Sequence, residues 1–334
     1  MRKIAFSVNS DREHYTLEEN LQVARMQRSS GKKRRKWPYW VGGILLLFIL
    51  IIGGGAFYVY SQLGSAVNTM HTPLARDEDP ERQKELKGLL DEKDSINMLL
   101  LGVDERPGDR GRSDTMILMS LNPKTDSMIM LSIPRDTYVN IPGRGMDKIN
   151  HAYAFGGVEL AVQTVEETFD IPVHVYSRVN MEGFKQGIDA IGGVTVNNNQ
   201  SFSQGGSDFS EGAIHLNGEQ ALDYIRMRKQ DPRGDMGRNN RQRAVVAAAM
   251  EKGASFSNIT KFGEILDILG GNVQTDLDMK KIQKLFTGYL GTRHNIETLE
   301  IEGSGSTING VWYYVVPDSE FDRINSEIRN HMES

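Results

Sequence analysis

From Val41 to Tyr60 the chain reads VGGILLLFILIIGGGAFYVY, twenty residues without a single charge. At about 1.5 Å per helical residue, such a stretch spans one hydrocarbon core of roughly 30 Å. Trp37, Tyr39 and Trp40 lie at one end and Tyr58 and Tyr60 at the other, as in an interfacial aromatic belt. Five consecutive basic residues, Lys32 to Lys36, stand directly before it. That bias keeps an N-terminus on the cytoplasmic side and places everything after Tyr60 outside. A cleaved signal peptide fits poorly, because the basic region is too long and the apolar run extends past a signal core. The segment therefore predicts one retained membrane helix and excludes a uniform soluble globule. With only one such run, it also excludes a polytopic transporter.

The charge is segregated around this segment. Of the net −5 over 334 residues, positions 1–40 carry +6 and positions 61–334 carry −11. Expected domains are a cytoplasmic tail over 1–40, the membrane helix over 41–60 and a polar extracellular stalk over 61–94. The main outer domain then runs over 95–255, with 256–334 as the C-terminal part of the same fold. The chain has no cysteine, which rules out a disulfide scaffold and Cys-ligated zinc.

Within the outer domain, Ile96–Val103, Met116–Leu121 and Ser127–Ile133 are short continuous apolar runs. Such runs read as strands buried on both faces. Helical patterns follow at His151–Thr168 and Met181–Ile191, with a strand over Val173–Val179 between them. Further helices are expected at Gln220–Met227, Arg241–Lys252, Thr260–Leu269 and Met279–Leu290. Strands are expected at Thr298–Ile301 and Trp312–Val315, and a last helix at Asp318–His331 with Asp318 as its N-cap. The polar, glycine-rich stretch 197–212 reads as a long exposed loop. Alternating strands and helices predict an α/β fold with a mixed central sheet sandwiched by helices.

The acidic body contains one basic island. Between Arg226 and Arg243 stand seven basic residues against Asp231 and Asp235, and six of the seven are arginine. A guanidinium offers a planar fork that binds phosphate bidentately and stays charged. The island therefore reads as an anion site, with a solvated basic face beside anionic lipid heads as the alternative. Asp104 follows the first strand directly, at the strand end where α/β folds place ligands. Asp114 lies ten residues on. The two carboxylates could share one Mg²⁺, or serve only as an Asx-turn and a strand-start cap. Arg135 and Asp136 follow the third strand, and Lys148 and Asn150 precede the next helix. No Walker loop, dinucleotide fingerprint, HExxH or Gly-x-Ser-x-Gly is present. Nucleic-acid binding is not expected, because the arginine island sits in the acidic outer body.

Five pieces together resemble the LytR-CpsA-Psr family of bacterial envelope proteins. They are LLLGVDER (Leu99–Arg106), GRSDTMIL (Gly111–Leu118), SIPRDTYV (Ser132–Val139), KINHAYAFGG (Lys148–Gly157) and LNGEQALDYIRMRK with GDMGRNNRQR (Leu216–Arg243). The resemblance implies transfer of an anionic glycopolymer, such as wall teichoic acid or capsule, from a polyprenyl-pyrophosphate carrier to peptidoglycan. The product is a phosphodiester, and Mg²⁺ assists. By motif, Asp104 and Asp114 correspond to the Mg²⁺-associated acids. Arg112, Arg135, Arg226, Arg228 and Gln242 correspond to pyrophosphate contacts, with Arg238 and Arg241 in support. Many relatives carry a second arginine four residues after Arg135, where this chain has Val139. The acceptor hydroxyl needs a proton acceptor, for which Asp104 and Asp136 are both candidates. The lipid chain needs an apolar tunnel, which the helices at Ala152–Val165 and Phe184–Ile191 could form; the alternative is that their apolar faces are simply core. A non-catalytic lipid-binding scaffold and a pyrophosphate hydrolase are the competing functions. The implied place is a Gram-positive-type cell membrane, with the C-terminal domain extracellular.

Overall fold

The computed structural model describes residues 69–105, 108, 111–254, 265 and 268–334. The expected tail, the membrane helix over 41–60 and most of the helix at Thr260–Leu269 lie outside them. Among the described residues no helix is long and apolar enough to cross a membrane.

The centre is a six-stranded mixed sheet. Its strands are β1 (Ile96–Val103), β2 (Ser113–Asn122), β3 (Ser127–Ser132), β6 (Val175–Asn180), β11 (Val273–Thr275) and β12 (Asn295–Leu299), in the spatial order β11-β6-β1-β2-β3-β12. β1 pairs antiparallel with β2 and parallel with β6, and β3 pairs parallel with β12. The continuous apolar runs have the predicted consequence. Leu99, Leu101, Met116, Leu118, Ile129 and Leu131 enter one core, while Ile96, Ile117, Met119, Met128 and Met130 enter the other. Period-two alternation sends each strand's neighbours to opposite faces, so both faces need helical cover.

On the first face lie α2 (His151–Phe169) and α7 (Asp318–Glu333), contributing Ala161, Val162, Val165, Ile324 and Ile328. On the second lie α1 (Pro80–Glu92), α5 (Asp235–Ala254) and α6 (Met279–Gly288). Their Leu86, Leu90, Val246, Met250, Ile282 and Leu285 pack on the sheet. A third core joins α3 (Met181–Ala190), α4 (Gly218–Arg226) and the β7–β10 ribbon (Val194–Asn198 with Gly212–Leu216).

Four expectations change. The stretch from Thr69 to Asp94, expected as stalk, is part of the packed domain. Asp79 caps α1 through Glu81 N, Leu86 and Leu90 are buried, and Arg76 bonds Glu166 at 2.6 Å. The loop expected over 197–212 contains a hairpin, β8 (Phe202–Gln204) with β9 (Ser207–Phe209). Its paired Phe202 and Phe209 pack on Tyr224, so two aromatics anchor a segment whose other residues are polar. Lys148 is not in a loop. It ends β5 (Gly145–Lys148), which pairs with β4 (Tyr138–Ile141). Asp318 is the first residue of α7 rather than its cap, a position held by Pro317 without a side-chain bond.

Candidate phosphate-binding cavity

The ends of β1 and β6 open into a cavity of about 660 Å³ that is also lined by α3, α4 and α5. One wall is apolar: Leu100, Val179, Phe184, Leu222, Ile225 and Val246. Leu101, Val103 and Met181 also line the cavity, and its charged and polar lining includes Asp104, Asp114, Arg135, Arg226, Arg228, Lys229, Arg238 and Gln242.

The acids owe their place to an irregular strand pair. Gly102 faces Thr115 but Val103 faces Ser113, so Asp114 is the extra residue of a bulge. A bulge re-aims the side chain it inserts, and here Asp114 lines the cavity. Asp104 N bonds Arg112 O at 3.2 Å, which draws the returning loop close to the end of β1. Gly111 makes that approach possible. Its φ is +69°, and a Cβ there would lie 1.9 Å from Asp104 O. Asp104 is also tethered from outside by its neighbour, since Glu105 forms an ion pair with buried Arg178, which bonds Tyr153 Oη at 3.1 Å.

Arg135 Nη1 bonds Asp114 Oδ1 at 2.8 Å, and Asp136 approaches Arg135 Nε at 3.5 Å. Burial pulls the Arg135 pKa down, but Asp114, Asp136 and Asp235 more than offset it, so the guanidinium is held firmly charged. Asp136 in turn accepts from Lys148 Nζ at 2.7 Å. Buried Arg238 pairs with Asp235 at 2.9 Å, and its Nε has no hydrogen-bond partner among the described residues. Burial, and repulsion from Arg135 and Arg228, pull its pKa down despite Asp235. Arg226, Arg228 and Lys229 are exposed at the mouth. Among the described residues none of the three pairs with a carboxylate, and Arg226 meets only Met181 Sδ.

Of the residues singled out in the sequence, the structure brings Asp104, Asp114, Arg135, Arg226, Arg228, Arg238 and Gln242 to one cavity. Five others stand outside its lining. Arg112 has an exposed side chain and bonds Asp104 through its carbonyl. Asp136 and Lys148 form their own pair, and Asn150 is buried with its N–H on Arg135 O. Arg241 is a latch: it bonds Asp231 and the Met227 carbonyl, both at 2.6 Å, tying the segment that carries Arg228 to α5. The island is thus half loop and half helix, because α5 begins at Asp235 rather than at Arg241. The expected tunnel helix at Ala152–Val165 belongs to the opposite face, where its apolar residues are core. Phe184 alone of that pair of helices' expected apolar faces lines the cavity. Reasoning from sequence missed Asn180, Met181, Leu222 and Gln204 as lining residues. Asn180 gave a signal in retrospect, as the N-cap that starts α3 at the end of β6.

Among the described residues, no three His, Asp or Glu side chains converge as a metal cluster. Two carboxylates, Asp104 and Asp114, beside the arginines of this cavity are a donor set that suits Mg²⁺, which completes its shell from phosphate and water.

The class follows from these features: a mixed-sheet α/β protein whose strand-end cavity joins an apolar wall to a cluster of arginines. Residues 57–330 match the LytR_cpsA_psr family, and the chain belongs to it. The polyisoprenyl-teichoic acid–peptidoglycan teichoic acid transferase TagU of Oceanobacillus iheyensis is 67% identical over 317 residues, covering 93% of this chain and 99% of its own. The crystal structure of B. subtilis TagU is 42% identical, covers 72% of this chain and 98% of its own, and superposes with a TM-score of 0.60. A structure of TagT bound to LIIa-WTA is 33% identical, covers 79% and 100%, and has a TM-score of 0.66.

Proposed function

We propose that this chain transfers teichoic acid from a polyisoprenyl carrier to peptidoglycan, as the names of its relatives describe. The observation that carries this reading is one cavity with two characters. Leu100, Val179, Phe184, Leu222, Ile225 and Val246 offer an apolar wall to a lipid, and the arginines beside them offer charge to its phosphates. A polyprenyl chain is apolar along its length and gains by burying that surface on such a wall.

In the reaction the acceptor hydroxyl oxygen bonds to the glycan-side phosphorus. The bond from that phosphorus to the bridging oxygen breaks, and polyprenyl phosphate leaves with the electron pair. Charge grows on the bridging and equatorial oxygens as it does so. Arg135 and Arg238, fixed by Asp114 and Asp235, are preorganised to meet that charge without reorienting. Arg226 and Arg228 at the mouth hold the pyrophosphate by bidentate bonds. The acceptor proton goes to a carboxylate. Asp104 lines the cavity and Asp136 does not, so Asp104 is the better placed of the two. Asp104 and Asp114 would hold a Mg²⁺, whose charge would neutralise the phosphates in the ground and transition states. Membrane anchoring through 41–60, with the catalytic domain outside, rests on the uncharged apolar run and the basic residues before it.

The test is transfer of a lipid-linked glycan to peptidoglycan by the purified full chain. Arg226→Ala and Arg228→Ala should each abolish transfer while leaving the melting temperature unchanged, because both side chains are exposed. Native transfer by both variants would overturn the assignment of the phosphate site.

A further inference from the structure

Next to the cavity stands a hairpin that the reaction above does not use. β13 (Ser304–Ile308) and β14 (Val311–Val315) pair antiparallel around an Asn309–Gly310 turn, both of whose residues have positive φ. The hairpin and its flanks, 303–317, contain no charged residue, in a body whose net charge is −11. Its tip is exposed on both faces, with Val311 at 44% and Trp312 at 48%.

The root of the hairpin is fixed to the two residues that follow Arg135, which lines the cavity. Tyr314 N bonds Asp136 O at 2.8 Å, and Thr137 bridges to Tyr314. On one face, Tyr313 packs against Tyr138 of β4 with ring centroids 4.7 Å apart. Lys148 Nζ sits 5.7 Å from the Tyr313 ring centre. From there the contacts run inward through Asp136 and Arg135 to Asp114, which lines the cavity. Trp312 points to the opposite face, since neighbouring strand residues alternate.

We propose that the Tyr313–Tyr138 pair is the subsite for the acceptor, a polysaccharide of uncharged sugar rings, and so deepens the transferase reading on which it rests. A pyranose has an apolar C–H face that packs on an aromatic ring and hydroxyls that need polar partners. Tyrosine supplies both, an apolar body with a polar tip. Ser306, paired with Tyr313, and Asn140, beyond Tyr138 on β4, add neutral hydrogen-bonding groups. Charge decides between occupants. The donor polymer and an anionic lipid surface both call for unpaired cations, and here Lys148, the cation that sits against the Tyr313 ring, is already paired with Asp136. A neutral glycan calls for none. A sugar held on Tyr313 presents its chain toward Arg135, where the phosphate waits.

The experiment is cosedimentation of the detergent-solubilised full chain with insoluble peptidoglycan stripped of attached polymers. Loss of an aromatic contact of about 1.4 kcal/mol corresponds to tenfold in affinity. Tyr313→Ala with Tyr138→Ala should weaken retention by about tenfold or more, and Phe at both positions should restore most of it. Trp312→Ala, on the other face, should bind as the native chain does. Retention should persist at 0.5 M salt, because no ion pair carries it. Displacement of a polyprenyl phosphate probe from the cavity should be the same in all variants. Native retention by the double alanine variant, equal loss in Trp312→Ala, or no retention of the native chain would overturn the proposal. Retention by the native chain without any glycan transfer would instead count against the transferase reading alone.

Discussion

Arg135 Nη1 lies 2.8 Å from Asp114 Oδ1, and both side chains line the same cavity. The bulge that inserts Asp114 into β2 therefore also sets where the Arg135 fork points. Both side chains are partly exposed, at 26% and 36%, so the pair adds little to stability. Its value is orientation. Arg135→Lys keeps the charge and loses the planar fork, and Asp114→Asn keeps the shape and loses the charge. Each should lower the transfer rate by about 10²-fold or more, the usual cost of one preorganised donor. Thermal melting should be nearly unchanged in both. Single-turnover transfer with saturating lipid-linked glycan checks this, since it reads the chemical step rather than binding.

Gly111 faces the Asp104 carbonyl so closely that no side chain fits. A Cβ would sit 1.9 Å from that oxygen, on a backbone already at φ +69°. Gly111→Ala must push the loop off the end of β1 and break the Asp104 N to Arg112 O bond. Transfer should fall by about 10²-fold, the effect of moving a reacting group by roughly 1 Å. The rest of the fold does not depend on this loop, so the circular dichroism spectrum should stay native. Normal activity in Gly111→Ala would show that Asp104 need not be held there.

The parts of the fold that sequence made legible are those where one physical signal dominates. Strands β1 to β3 were readable because burial on both faces leaves continuous apolar runs. The helices from His151 and Met181 were readable from their periodicity. The β8–β9 hairpin was not, because its two phenylalanines are outnumbered by polar residues along the chain and meet only through pairing. The site shows the same division. Charged motif residues such as Asp114, Arg226 and Arg238 declare themselves in a body of opposite sign. Apolar lining does not, since Phe184 facing a cavity and Val162 facing a filled core obey the same helical pattern. That is why the pattern of α2 fits a lipid tunnel as well as a core, and only the fold shows that it is core. Arg241 and Arg238 look alike in sequence, yet one closes on Asp231 and the other lines the cavity. Only the tertiary position of Asp231 separates them.

The Arg241–Asp231 pair carries a stability prediction. Their side chains are 8% and 6% exposed, and the bond is 2.6 Å long. Removing one partner leaves the other charge buried and unpaired, at a cost of about 3–5 kcal/mol. Asp231→Ala should therefore lower the unfolding free energy by roughly that amount in urea titration. The double variant Asp231→Leu with Arg241→Met should recover most of it, since no charge is left stranded. Strict additivity of the single substitutions would refute the coupling.

Asp276 sets a pH dependence. It is 1% exposed, and its Oδ2 has no hydrogen-bond partner among the described residues. Burial first, and then the nearby Asp77 carboxylate, push its pKa from 3.8 up to about 7, against the opposing bond from Tyr176 N. Between those values the folded chain holds a proton on Asp276 that the unfolded chain has released. Stability from this group therefore falls as pH rises from about 4 to about 7, then levels off. The whole fall is on the order of 4 kcal/mol, at 1.36 kcal/mol per unit of pKa. Buried His174 works the other way. Burial, with Arg82 and Arg76 nearby, lowers its pKa from 6.5 to about 4, so its contribution rises with pH over that window. The two slopes cancel in the native chain between about 4 and 6.5, which leaves its curve flat with respect to this pair. Asp276→Asn removes one of them. The unfolding free energy of the variant minus that of the native chain should climb steadily from pH 4.5 to pH 7, at up to about 1.4 kcal/mol per pH unit. Urea titrations at matched pH values measure it, and a difference independent of pH would show that Asp276 is ionised throughout.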